Sequence, residues 1–226
     1  MSKSALLLAI VTVLFSQSAA KTVQSEDVKL RGIGHVKISA EEPDEDWLNL
    51  RFTDVHSGRV LATVFPEKTD DSFRSHALSS IRFRVLHPAG FPDPLILGIA
   101  MGAGASDCGY QVIPIGVVHG KIRNLSSQVL YFATQGGIYL GRIGNVQTGL
   151  SLWYVESTDD VEHYGPHKYR FLFLGWNPRK GSFQPLYSRT SRRYDSEREA
   201  AESFRLRPEG IIDAVTISSW FPEFGC

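Results

Sequence analysis

The sequence predicts an all-β fold of antiparallel sheets, arranged as a sandwich or a partial propeller-like stack, with one short helix near the C-terminus. Three observations carry this expectation. Apolar residues alternate with polar ones in short segments: Val36 and Ile38; Leu48, Leu50 and Phe52; Ile81, Phe83 and Val85; Tyr169, Phe171 and Phe173. A period of two sets one face on a core and the other in water, as in antiparallel sheets. Segments 95–100 and 112–118 are instead almost continuously apolar, the pattern of strands covered on both faces. Turn residues punctuate these runs at strand-like intervals.

Taken in order, residues 1–20 read as a cleavable secretory leader. Lys3 is their only charge, residues 5–15 are apolar apart from Thr12, and Ser18-Ala19-Ala20 supplies small residues for cleavage. The apolar run is shorter than the roughly 20 residues of a membrane helix. No cysteine stands near the cut for lipid attachment, and no later apolar run approaches spanning length. The expectation is a leader over 1–20 and a single all-β domain over 21–226, soluble, with no membrane span, secreted or periplasmic.

Residues 41–46 form an acidic run between two strands. Its carboxylates are consecutive rather than spaced around a turn glycine, so it reads as a solvated loop and not a calcium site. Asp54-Val55-His56-Ser57-Gly58 predicts a hairpin between strands 48–53 and 59–65, and Asn177-Pro178-Arg179-Lys180-Gly181 another between 169–176 and 182–190. The glycine-rich stretches 102–109 and 136–149 read as long connections. The helix is expected over 196–206, with Asp195 as N-cap, Glu197 and Glu199 near its positive end, a narrow face of Ala200, Ala201 and Phe204, and Pro208 beyond it. These runs predict roughly ten strands.

Composition bounds the function classes. Basic and acidic residues balance at 24 each, which gives no reason to expect nucleic acid or an anionic membrane surface as partner. Apolar content of 42% with 11% aromatics argues against disorder. The two cysteines, Cys108 and Cys226, are candidates for one disulfide in an oxidising compartment. Two free thiols or an intermolecular bond are the alternatives.

Four groups of residues carry chemistry worth weighing. The loop from Gly102 to Gly109 matches neither a dinucleotide fingerprint nor a nucleophile elbow, but a Cys108 thiolate beside His119 would be a nucleophile. His163 and His167 flank Gly165-Pro166, which excludes a regular helix, so a metal would need them to converge through a turn with Asp159, Asp160 or Glu162. Trp153, Tyr154, Tyr164 and Trp176 are a candidate ligand surface, because exposed rings stack on sugars or apolar side chains; as core residues they would do neither. Arg189, Arg192, Arg193 and Arg198 are interleaved with Asp195, Glu197 and Glu199 and read as an ion-paired surface. Asn124-Leu125-Ser126 fits a glycosylation sequon, relevant only in a eukaryotic secretory route.

Residues 169–194 run as an aromatic strand ending in Trp176, a turn, then Gly181-Ser182-Phe183 and a second polar-aromatic strand. This stretch resembles a blade edge in FG-GAP or VCBS-type β-propellers, and the chain resembles exported bacterial proteins carrying such strands. The resemblance implies a bladed β fold outside the cytoplasm. The chain departs from the family in having no Asp-x-Asp-x-Asp-Gly calcium loop, so it implies no calcium.

The functional expectation is an exported, soluble β-rich binding or structural module, without cofactor or metal, whose partner is an extracellular polymer or protein. The alternative is a secreted hydrolase using Cys108 and His119, or a metal at His163 and His167.

Overall fold

The computed structural model describes residues 20–42, 48–67, 78–88, 91, 94–103, 108–133, 135–156 and 165–224. They form three antiparallel sheets. The first is a meander of β1 (Lys21–Leu30), β2 (Gly34–Glu42), β3 (Asn49–Asp54) and β4 (Val60–Val64). The middle sheet follows as β5 (Leu78–Leu86), β6 (Leu95–Ala103), β7 (Cys108–Val118) and β8 (Lys121–Asn124); β9 (Leu130–Ala133) pairs the part of β7 that β8 does not reach. The third combines β10 (Gly137–Ile143), β11 (Val146–Val155), β12 (His167–Asn177), β13 (Ser182–Tyr194) and the short β14 (Ile211–Asp213), in spatial order β13-β12-β11-β10-β14.

The sheets stack because of which faces are apolar. Val36, Ile38, Leu50 and Phe52 of the first sheet pack against Ile81, Phe83, Ile96, Ala100, Ile113 and Ile115 of the middle one. The opposite face of the middle sheet, with Leu95, Leu97, Ile99, Tyr110 and Val112, packs against Ile138, Leu150, Leu152 and Leu174 of the third. β6 and β7 are therefore buried on both faces, which is why 95–100 and 112–118 lack polar alternation. Gly98 marks the close approach: a Cβ there would lie 2.7 Å from Leu50 Cδ1. The outer face of the third sheet, with Tyr139, Trp153, Tyr169, Phe171 and Phe173, is covered by Ala200 and Ala201 of a helix.

Both predicted hairpins form. Asp54 Oδ1 accepts from Ser57 N–H and Oγ–H, both at 2.6 Å, and Gly58 takes φ 68°. Asn177 Oδ1 accepts from the N–H groups of Arg179 (3.0 Å) and Lys180 (3.1 Å), and Gly181 takes φ 61°.

Four expectations need correction. Residues 136–149 are not a connection: β10 and the start of β11 form a hairpin there, with Gly144 at φ 56° in the turn. The glycines clear space for large side chains, since a Cβ on Gly137 would lie 2.5 Å from Trp153 Cζ2 across the pair, and one on Gly149 2.5 Å from Ile143 Cδ1. The helix, α1 (Glu197–Ser203), is capped by Ser196, whose Oγ accepts from Glu199 N–H at 3.2 Å, and not by Asp195. A one-turn helix, α2 (Ala214–Ser218), capped by Asp213, was not expected. The strand count exceeds ten because β8, β9 and β14 span four residues or fewer, too few to show a period. Among the described residues no helix is long and apolar enough to cross a membrane.

Candidate functional site

A cleft of about 420 Å³ opens where the edge of the middle sheet meets β1 and the segment after α2, lined by Val23, Gln24, Arg82, Phe83, Arg84, Ser219, Trp220, Pro222 and Glu223. Its volume lies within the range of small-molecule sites. Three local features build it. The β1–β2 register shifts between Thr22 and Gln24, which leaves Val23 as an extra residue and bends the strand there. β5 alternates, sending Ile81 and Phe83 into the first core and Arg82 and Arg84 to its other face. The C-terminal segment is anchored by Ile217 and Phe221, both at most 1% exposed, with the Phe221 ring 6.3 Å from that of Tyr110 on β7. Trp220, Pro222 and Glu223 flank that anchor and form the cleft wall.

The polar groups divide into committed and uncommitted sets. Gln24 lies against β5 like a short piece of strand: its Nε2 donates to Phe83 O at 2.9 Å and its Oε1 accepts from Phe83 N–H at 3.0 Å. Glu42 Oε1 accepts from Ile81 N–H (3.2 Å), from Arg82 Nη1 (2.7 Å) and from the buried Ser80 hydroxyl. Arg82 also donates through Nη2 to Glu223, tying β2, β5 and the C-terminal segment together. Its guanidinium stands 5.5 Å from the Phe221 ring centre. Arg84 is placed differently. Its guanidinium lies 5.1 Å from the Trp220 ring centre, and among the described residues it meets no carboxylate.

Arg82, Arg84 and Trp220 did not stand out in the sequence. The available signal was the β5 strand itself, where Ile81, Phe83 and Val85 fix one face and arginines occupy the other. Arg82 is mostly buried at the edge of a stacked sheet and needs partners, and Trp220-Phe221-Pro222-Glu223 supplies rings and a carboxylate.

The residues singled out from sequence fall elsewhere. Cys108 begins β7, 6% exposed, while His119 follows the last residue of that 11-residue strand. A strand rises about 3.3 Å per residue, so they stand on the order of 30 Å apart and cannot form a nucleophile–base pair. His119 and Gly120 both take positive φ, 51° and 70°, as the two-residue turn between β7 and β8 requires. Cys226 lies outside the described residues, and its pairing with Cys108 with it. His163 and Tyr164 also lie outside them. His167 begins β12, 7% exposed, with its ring edge-on to Tyr169 at 6.5 Å. Among the described residues no three His, Cys, Asp or Glu side chains converge to hold a metal.

Of the expected aromatic surface, the three described rings do not share one exposed face. Trp153 is fully buried, stacked on Phe171 at 5.4 Å. Tyr154 points to the opposite face of β11 and is half-buried against the middle core. Trp176, also half-buried, packs against Phe91 at 4.9 Å and Phe183 at 5.5 Å. Among the described residues the arginine run meets rings, a carbonyl and a carboxylate. Arg189 stands 5.4 Å from the Tyr187 ring and Arg192 5.1 Å from Tyr194, Arg193 donates to Pro166 O, and Arg198 meets the Glu202 carboxylate at 3.4 Å. Leu125 of the sequon is fully buried, and Asn124 Oδ1 accepts from Ser126 N–H at 2.9 Å.

Comparison of the chain with family models, with curated proteins and with solved structures finds no match.

Proposed function

We propose that this chain is an exported β module that binds a small ligand, or a small part of a larger one, in the cleft between β1, β5 and the C-terminal segment. The observation that carries the reading is the pairing of Arg84 with Trp220 in a cleft of about 420 Å³. An arginine lying over an indole face is attracted to it and still presents its N–H groups, and the ring gives apolar contact. The binding site is built from the molecule's edge, with the stacked sheets as rigid support.

Export is part of the proposal and rests on residues 1–20. A Cys108–Cys226 bridge belongs to it as well. It is supported by Phe221, whose ring reaches Tyr110 two residues along β7 from Cys108, bringing the C-terminal segment to the start of that strand. The resemblance of 169–194 to exported propeller-type strands is consistent with the same compartment.

The test is a screen of small sugars, amino acids and organic acids against the purified chain, read at the Trp220 indole N–H by 1H–15N spectroscopy. Saturable shifts at Trp220 are expected, with binding of the same compound measured by calorimetry lost in Trp220→Ala. Compounds that bind only elsewhere, or turnover of any of them, would overturn the reading.

A further inference from the structure

We propose that the cleft's ligand carries a single carboxylate, received by Arg84, on a small apolar or ring-shaped body; this rests on the cleft being the binding site. Charge, and the donors already committed elsewhere, select the ligand's polar group. Among the lining residues the charged groups are Arg82, Arg84 and Glu223. Arg82 is taken up by Glu42 and Glu223 and by the Ser80 hydroxyl and Ile81 carbonyl, and only 14% of its side chain is exposed. Glu223 is engaged by Arg82 in turn. Gln24 spends both ends of its amide on Phe83, and the Ser219 hydroxyl donates to Thr216 O at 2.6 Å.

That leaves Arg84. Among the described residues its guanidinium lies over the Trp220 ring at 5.1 Å and has no hydrogen-bond or carboxylate partner, so its N–H groups are unbonded. A guanidinium edge matches a carboxylate or a phosphate through two parallel hydrogen bonds. The surroundings select between them. One uncommitted positive charge balances one negative charge, whereas a phosphate carrying close to two would face Glu223, 42% of whose side chain is exposed on the same wall. Val23, Trp220 and Pro222 supply the apolar remainder of the lining, so the carboxylate's carbon body has somewhere to rest. No catalytic step is implied.

Three probes separate the possibilities: benzoate, its neutral counterpart benzamide, and inorganic phosphate, each titrated into the full chain while the Trp220 indole and Arg84 Nε–H signals are followed. A forked ionic contact in an open cleft predicts benzoate binding in the millimolar range, about tenfold tighter than benzamide. Phosphate should bind more weakly than benzoate. Arg84→Gln should reduce benzoate to the affinity of benzamide, and Arg84→Lys should retain part of the preference while losing the fork; Arg84 is exposed, so both variants should fold. Equal binding of benzoate and benzamide at Trp220 would overturn the carboxylate assignment and leave the cleft standing as the binding site. Phosphate binding more tightly than benzoate would overturn it in favour of a phosphoryl ligand. Absence of shifts at Trp220 from every probe up to about 20 mM would overturn both readings.

Discussion

Tyr169 shows how one residue can record the packing around it. It is 2% exposed on the outer face of the third sheet, and its phenol is pushed up to about 12 by burial first and then by Glu197, Asp195 and Glu199 around the start of α1. The folded state therefore favours the neutral phenol more than the unfolded chain does, whose tyrosine titrates near 10. Its contribution is complete below about pH 10 and is lost as pH rises from about 10 to 12, amounting to about 2–3 kcal/mol. Urea denaturation of the wild-type chain should lose that much more stability across the interval than Tyr169→Phe does. Parallel pH slopes for the two proteins would mean that the phenol reaches water. Tyr110, buried on the other side of the molecule between the middle and third sheets, is raised by burial as well. Trp153 was legible as an aromatic on a strand but not as a buried one, because 152–155 carries large residues on both faces. What decides its direction is Gly137 directly across the ladder, a long-range pairing that no local period contains.

At the scale of an element, β5 has to solve a problem its own sequence creates. It is the edge of the middle sheet, and an edge strand exposes unpaired N–H and C=O groups that invite another chain. Here side chains from β1 and β2 close it: Gln24 satisfies both backbone groups of Phe83, and Glu42 takes the N–H of Ile81. Gln24→Leu should therefore cost about 1–3 kcal/mol, the range for leaving partly buried backbone groups unpaired, and should promote self-association measurable by sedimentation. A change below about 0.5 kcal/mol with an unchanged monomer would mean that water replaces the amide and that Gln24 does not guard the edge. The helix cap teaches a related lesson. Asp195 and Ser196 are both good N-caps by type, and the choice between them turns on backbone geometry: Ser196 takes φ −139° and ψ 152° and its hydroxyl reaches Glu199 N–H. The hairpin turns were readable because Asp54 with Gly58, and Asn177 with Gly181, carry their own hydrogen-bonding and positive-φ chemistry within five residues. The hairpin at 144–145 was not, because glycines that make room for Ile143 and Trp153 look the same in sequence as glycines of a loop.

For the whole molecule, the order of layers follows from which strands are apolar on two faces. β6 and β7 could only be central, and that much was visible in 95–100 and 112–118. The cleft was not visible, since it forms where residues 23–24, 82–84 and 219–223 meet, and no local motif links the three. Its C-terminal wall is held by apolar contacts of Phe221 and by the Arg82–Glu223 ion pair; one partly exposed ion pair contributes little. A covalent tie beyond Glu223 would change that balance. The proposed Cys108–Cys226 bridge would close a loop of more than half the chain, and the chain-entropy model assigns about 5 kcal/mol to a loop of that length, less any strain. Intact mass after alkylation without reductant should show no added groups in the unfolded, exported monomer and the loss of residues 1–20. Reduction should then lower the denaturation midpoint, expose the C-terminal segment to protease and weaken ligand binding at Trp220 together, because one bond would hold both the wall and the fold. Two alkyl groups on the unfolded protein, or a midpoint indifferent to reductant, would leave the wall to Phe221 and Arg82 alone. Phe221→Ala, more than Arg82→Ala, would then be expected to open the cleft.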